Sequence, residues 1–298
     1  MPSPQLTMIV DMLRSAPPVP QDMDTAARRE RMEELSLASV LPDGVRATSV
    51  EAGGVPSEWV EATGRPARGT ILYLHGGGYT IGSVRTHRAH AGRLVLATGA
   101  RALVVDYRLG PEHPFPAAVD DAVAAYRWLV RGGTAPERII VAGDSAGGGL
   151  TVATLVALRD AGDPLPAGGV CISPWADLEC TGESMTSRAA SDPMVQRGPL
   201  LDMAAQYLAG QDPRMPLASP IHADLRGLPP LLIHVGTAET LLDDATRLAD
   251  RARAAGVAVD IEVWDDMIHV WHCFAPHLPE ADEAIAGIGA WVRKRLPA

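Results

Sequence analysis

GDSAGGG, residues 143–149, follows the apolar β-branched run RIIVA (138–142) and precedes the helix-like run LTVATLVALRD (150–160). A strand that ends on Gly-Asp-Ser-Ala-Gly and turns straight into a helix fits G-x-S-x-G, the sharp turn that holds a serine Oγ up for attack. Glycines on either side remove Cβ atoms where such a turn is tightest. The helix that follows aims its N-terminus, with its partial positive charge, at the same place. A serine- and glycine-rich helix start with no chemistry is the competing reading, and the rest of the chain has to separate the two.

Outward from that turn, runs of two kinds alternate. TILYL (70–74), RALVVD (101–106), GGVCIS (168–173), LLIHV (231–235) and VAVDIEVW (257–264) read as strands. HRAHAGRLVLAT (87–98), AAVDDAVAAYRWLV (117–130), a segment from Leu241 and another near 280–296 read as helices. Short Ile/Val/Leu strands alternating with amphipathic helices predict an α/β fold with a mostly parallel sheet covered on both faces. Two strand-like pieces, ATSVEA from Ala47 and SEWVEA from Ser57, come before the alternation. Two helix-like segments, roughly 4–15 and 22–38, come first and are separated by APPVP. The polar, Met- and Pro-bearing stretch at about 181–215 interrupts the pattern and contains the helix-like MVQRGPLLDMAAQYLAG. The expected organisation is a helical cap over 1–45, with a contribution from about 181–215, and a catalytic domain over 46–298.

Composition narrows the function classes. With 298 residues and 47% apolar content the chain can bury a large core. Its net charge is −10 and its arginines are scattered, which argues against a nucleic-acid face. Lys294 is the one lysine, so no Walker-type phosphate loop exists, and G-x-G-x-x-G is absent too. Three cysteines, Cys171, Cys180 and Cys273, make no disulfide framework. The N-terminal stretch lacks a basic n-region and carries Asp11 within its short apolar run, unlike a signal peptide. No apolar run of about 18 residues occurs. These features predict a soluble cytoplasmic protein with no membrane span and no cofactor.

A nucleophilic serine needs partners. His75-Gly76-Gly77-Gly78-Tyr79 follows TILYL directly, and three glycines let a chain turn its amides inward. Backbone N–H groups so placed stabilise the oxyanion of acyl transfer. The expected donors are Gly77, Gly78 and the amide of Ala146. On this kind of fold the chain order is serine, acid, histidine. His269 lies five residues past Trp264, at the end of the last strand; His272 is its rival, one helical turn later. A metal reading of His269, His272 and Cys273 lacks a further ligand pair at metal spacing. Among Glu239, Asp243 and Asp244, Glu239 lies in the turn four residues past Val235, whereas the two aspartates fall in the next helix. Glu239 is therefore the expected acid.

HGGGY (75–79), DYRLGPEHPFPAA from Asp106, GDSAGG, SPW at Ser173, SDPMV at Ser191, LASP at Leu217, GLPPLLI at Gly227 and DDMIH ahead of His269 together resemble the bacterial hormone-sensitive lipase family of esterases. The likeness runs from about residue 46 to the end. It implies an α/β-hydrolase fold with an N-terminal helical cap, a preference for short acyl chains, the triad Ser145, Glu239 and His269, and oxyanion donors Gly77, Gly78 and Ala146. Many members carry aspartate where Glu239 sits and alanine in place of Gly110. The likeness makes Asp106 to Arg108 expected scaffolding for the glycine turn. It also implies a possible homodimer through the edge strand VAVDIEVW, whose backbone groups are free to pair. An amidase, lactonase or deacetylase with the same triad stays open, since the leaving group is the main difference. A small-molecule receptor on this fold would be expected to lose a triad member.

Overall fold

The computed structural model describes residues 2–17, 20, 23–37 and 39–297. Two helices come first, α1 (Pro4–Ser15) and α2 (Thr25–Ser36), followed by the strands β1 (Val45–Ala52), β2 (Val55–Ala62) and β3 (Thr70–Leu74). Then come α3 (Val84–Thr98), β4 (Arg101–Val105), α4 (Ala117–Arg131), β5 (Ile139–Asp144), α5 (Ala146–Asp160) and β6 (Gly168–Ile172). The short α6 (Ser184–Ser187) and α7 (Arg197–Leu208) lie in the interrupting stretch. The chain closes with β7 (Leu231–Gly236), α8 (Leu242–Ala254), β8 (Val259–Trp264) and α9 (Pro279–Arg295).

The eight strands form one sheet in the order β1-β2-β4-β3-β5-β6-β7-β8. The pairs β1–β2 and β2–β4 are antiparallel, and all pairs from β4 to β8 are parallel. Period-2 alternation sorts the strand side chains onto two faces. Leu72, Leu74, Leu103, Val105 and Val141 join the core beneath α4, α5, α7 and α8. Ile71, Tyr73, Ala102, Val104 and Ile140 join the core beneath α1, α3 and α9. Full burial of one such aliphatic side chain contributes about 1.5–3 kcal/mol. The doubly covered strands β3 and β5 are buried along their whole length, and their carboxyl ends carry two of the turns singled out above.

The N-terminal helices form a cap fastened at several points. Leu6 and Ile9 of α1 are buried in the α3/α9 core. Arg14 Nη2 donates to Ala190 O at 3.2 Å, reaching the interrupting stretch. Thr25 Oγ1 donates to Gln206 Oε1 of α7 at 2.7 Å. Arg29 of α2 donates to Thr80 O (2.8 Å), Gly110 O (2.7 Å) and both carboxylate oxygens of Glu112. No helix among the described residues is long and apolar enough to cross a membrane.

Candidate active site

Four strand ends deliver the candidate residues to one edge of the sheet. Gly77 and Gly78 follow β3, Ser145 follows β5, Glu239 follows β7 and His269 follows β8. In an open parallel sheet the carboxyl ends of the strands are where ligands bind.

Ser145 has φ 54° and ψ −121°, a conformation costly for a side chain bearing a Cβ. It is over-determined from several sides. Its N–H donates to Ile172 O at 2.8 Å, and its carbonyl accepts from Gly148, Gly149 and Trp175. Glycine is required around it: a Cβ on Gly147 would collide with the carbonyls of Leu74 and His75, and one on Gly143 with the carbonyls of Gly147 and Leu74. Ser145 is half-buried, while its neighbours on both sides are buried.

The glycine turn is equally constrained. Gly77 has φ +119°, and a Cβ there would strike Ile81 O; Gly78 has φ +59° and lies under Met203 Sδ of α7. Thr80 and Ile81 donate to Gly77 O at 3.1 and 2.9 Å. The amides of Gly77, Gly78 and Ala146 find no acceptor among the described residues. For Ala146 this follows from its place as the first residue of α5, where no intrahelical carbonyl is available. Of the DYR stretch, Tyr107 reaches the turn: its OH donates to His75 O at 2.7 Å and its ring stacks on His75 with centroids 4.2 Å apart. Asp106 instead accepts from Val84 N at the start of α3, and Arg108 clamps Asp121 of α4. Burial pushes the His75 imidazole down to about 3, so it is neutral.

Glu239 is fully buried. Its Oε1 accepts from Gly236 N (2.7 Å) and Ser173 Oγ (2.8 Å), and its Oε2 lies 2.8 Å from His269 Nδ1. A carboxylate only accepts, so the proton of this pair sits on Nδ1, and in the neutral ring Nε2 is left as an acceptor. Burial alone would lower the His269 pKa, but the hydrogen bond and charge of Glu239 outweigh it and raise it. No hydrogen bond joins Ser145 Oγ to His269 among the described residues; such contacts commonly tighten only with substrate in place.

The rivals go elsewhere. Asp243 Oδ2 accepts from Ser184 N at 3.0 Å, and Asp244 Oδ1 accepts from Ala176 N and Asp177 N, both at 2.9 Å. Burial pushes the Asp244 carboxyl up to about 8. His272 Nε2 lies 3.1 Å from His234 Nδ1, and burial holds the His272 pKa well below its ordinary value. His269 and His272 therefore face different partners. Asp177, Glu179 and His222 have ligand-type atoms within 4.8 Å of one another. Asp177 Oδ2, however, already accepts from Thr181 and Arg247.

Ser173 received no individual role from sequence reasoning. Its Oγ donates to Glu239 Oε1 and accepts from Val270 N at 3.1 Å, tying Glu239 to the residue after His269. Its place at the end of a strand, in a Ser-Pro-Trp triplet, was the available signal. Asp192, in SDPMV, likewise holds the loop that carries Glu239 by accepting from Thr240 N at 2.8 Å.

Comparison with known proteins agrees with this architecture. Residues 71–273 match a family model described as the alpha/beta hydrolase fold. An acetyl-hydrolase of Streptomyces hygroscopicus is 54% identical over 82% of this chain and 81% of its own length. A putative acetyl-hydrolase, LipR, of Mycobacterium tuberculosis is 36% identical over 97% of this chain and 94% of its own. The crystal structure of an esterase from the bacterial hormone-sensitive lipase family superposes with a TM-score of 0.95 at 52% identity, covering 100% of both chains. EstE5, in a crystal soaked with p-nitrophenyl butyrate, gives 0.95 at 48% identity over 99% of this chain and 100% of its own. The chain belongs to the α/β-hydrolases, among the carboxylic ester hydrolases of the bacterial hormone-sensitive lipase family.

Proposed function

We propose that the chain is a serine carboxylesterase for short-chain esters working through an acyl-enzyme. Ser145 Oγ attacks the ester carbonyl carbon while His269 Nε2 takes its proton. The former carbonyl oxygen, now negative, is held by the amides of Gly77, Gly78 and Ala146. His269 then returns the proton to the departing alkoxide. Water, deprotonated by the same imidazole, releases the acid and restores Ser145. Glu239 keeps the ring in the Nδ1–H tautomer and stabilises it when charged, with Ser173 orienting the carboxylate. The observation that carries this reading is the set of three acceptor-free amides around a strained, half-buried serine. The Met203 thioether over Gly78 supports a small acyl group, as do the name of the Streptomyces relative and the butyrate ester soaked into EstE5. In the same reading the segment 181–215, which carries Met203, completes the cap.

The test is hydrolysis of p-nitrophenyl esters from acetate to palmitate by wild type and Ser145→Ala. Acetate and butyrate should be fastest, and the variant should fall by at least about 10³-fold. Equal rates for the two proteins would overturn the assignment of Ser145. Faster turnover of the matching p-nitroanilide would favour an amidase.

We also propose a homodimer through β8. It is one of the sheet's two edge strands, with β1 at the other side, and Val263 on it is 45% exposed. Sedimentation velocity decides: a species that stays monomeric at high micromolar concentration rules the dimer out.

A further inference from the structure

Behind the glycine turn lies a buried carboxylate that the mechanism above does not use. Asp144 precedes Ser145 and is almost wholly buried. Its Oδ1 accepts from Tyr73 OH at 2.6 Å and from Gly76 N at 3.1 Å, so one oxygen joins the strand carrying the nucleophile to the turn carrying the oxyanion amides. Its Oδ2 lies 3.4 Å from His87 Nε2 of α3. A buried charge without a counter-charge is costly, so a partner is required.

We propose that His87 is a positioning residue for the ester hydrolysis proposed above. As an imidazolium it neutralises Asp144, holding the glycine turn in register with Ser145 and keeping unbalanced negative charge away from the oxyanion. The proposal rests on the reading of Ser145 as nucleophile.

Both ring nitrogens of His87 face acceptors. Nε2 faces Asp144. Nδ1 lies 2.7 Å from Thr86 Oγ1 and 3.3 Å from Ser83 O. Thr86 Oγ1 also lies 2.9 Å from Ser83 O and accepts from Ser83 N at 2.9 Å. A ring protonated at both nitrogens donates to Asp144 on one side and to Thr86 Oγ1 or Ser83 O on the other.

The other titratable groups facing His87 do not supply the charge. His75 stacks on it with centroids 5.3 Å apart and is neutral. His90, one turn along α3, is pushed down to about 4, chiefly by burial. Tyr73, 6.4 Å away ring to ring, is raised well above its ordinary value by burial and by Asp144. Glu33 of α2 adds negative charge, itself paired with Arg85 at 3.3 Å. Burial alone would lower the His87 pKa, but Asp144 reverses that and raises it. The sign follows: the pair is intact below that raised value. As pH rises through it, His87 loses its proton, Asp144 stands uncompensated and kcat falls.

The experiment is the pH dependence of kcat and KM on p-nitrophenyl butyrate for wild type, His87→Gln and the double variant His87→Gln/Asp144→Asn. His87→Gln should lose about tenfold in kcat with KM within about twofold, and should lack the alkaline fall of the wild type. Asn at 144 can still accept from Tyr73 and Gly76 but carries no charge. The double variant should therefore recover to within about threefold of wild type, a rescue that packing alone would not produce. Wild-type kcat and an unchanged alkaline limb in His87→Gln overturn the proposal, and so does a double variant no better than the single. Should His87→Gln fail to fold, nitrogen-15 histidine spectra of the wild type decide. Protons on both His87 ring nitrogens at neutral pH support the pair, and a neutral ring overturns it. Failure of the nucleophile assignment looks different, since Ser145→Ala would then stay active whatever His87 does.

Discussion

Glu239 satisfies three donors with two oxygens, from Gly236, Ser173 and His269. Such a carboxylate both orients the imidazole and lifts its pKa. Glu239→Gln should cut kcat by about 10³–10⁴-fold while leaving the fold intact. The pH profile should move as well. In the proposed mechanism His269 must be neutral to accept the serine proton, so activity should rise with pH through its raised pKa. Without the carboxylate that value drops, and the acid limb of kcat/KM shifts to lower pH. Asp243→Asn, whose partner is Ser184, should stay near wild type; if it is the dead variant, Asp243 is the acid. At this scale a strand-end rule pointed to Glu239 and His269, which the structure brings within 2.8 Å of each other. Glu239 and His269 each sit a few residues past an apolar strand. Ser173 escaped because its contribution depends on a carboxylate 66 positions away and on a backbone φ of 46°, neither of which a local pattern encodes.

Among the elements, the turn from β5 to α5 concentrates backbone strain at one residue. Ser145→Gly and Ser145→Ala both remove the hydroxyl, yet only glycine accepts φ 54° without steric cost. The glycine variant should be the more stable of the two by about 1 kcal/mol, after allowing for glycine's extra unfolded-state entropy. Thermal melting of the two side by side checks this, and equal melting points would mean the turn is relaxed. The parallel strands were legible because each is a short apolar run bounded by turn residues. The start of α3 was not, although its signal is local. Ser83 and Thr86 form a reciprocal capping box, and the helix begins at Val84, three residues before the run read from His87. The seat of β2, antiparallel between β1 and β4, was hidden for a different reason: strand pairing is long-range, and nothing in SEWVEA names its neighbours. Part of the helix-like span 22–38, at Asp22 and Ala38, lies outside the described residues; the helix itself runs from Thr25 to Ser36.

For the molecule as a whole, Arg29 couples the cap to the active edge by bonding Thr80 O, Gly110 O and Glu112 together. Arg29→Ala removes these donors, and a loss of about 1–3 kcal/mol should lower the melting point by roughly 2–6 °C. It should also broaden the acyl-chain preference as α2 loosens beside the glycine turn. An unchanged melting point and chain-length profile would show that the other cap contacts suffice.

The same arrangement bears on how such a protein can diversify. The candidate reactive groups sit at the ends of β3, β5, β7 and β8, whereas Met203 descends on Gly78 from the long connection between β6 and β7. Inheritance can therefore rewrite that connection, by point change or by exchange of the whole segment, and alter which esters fit. The strands that hold the reacting atoms need not change at all.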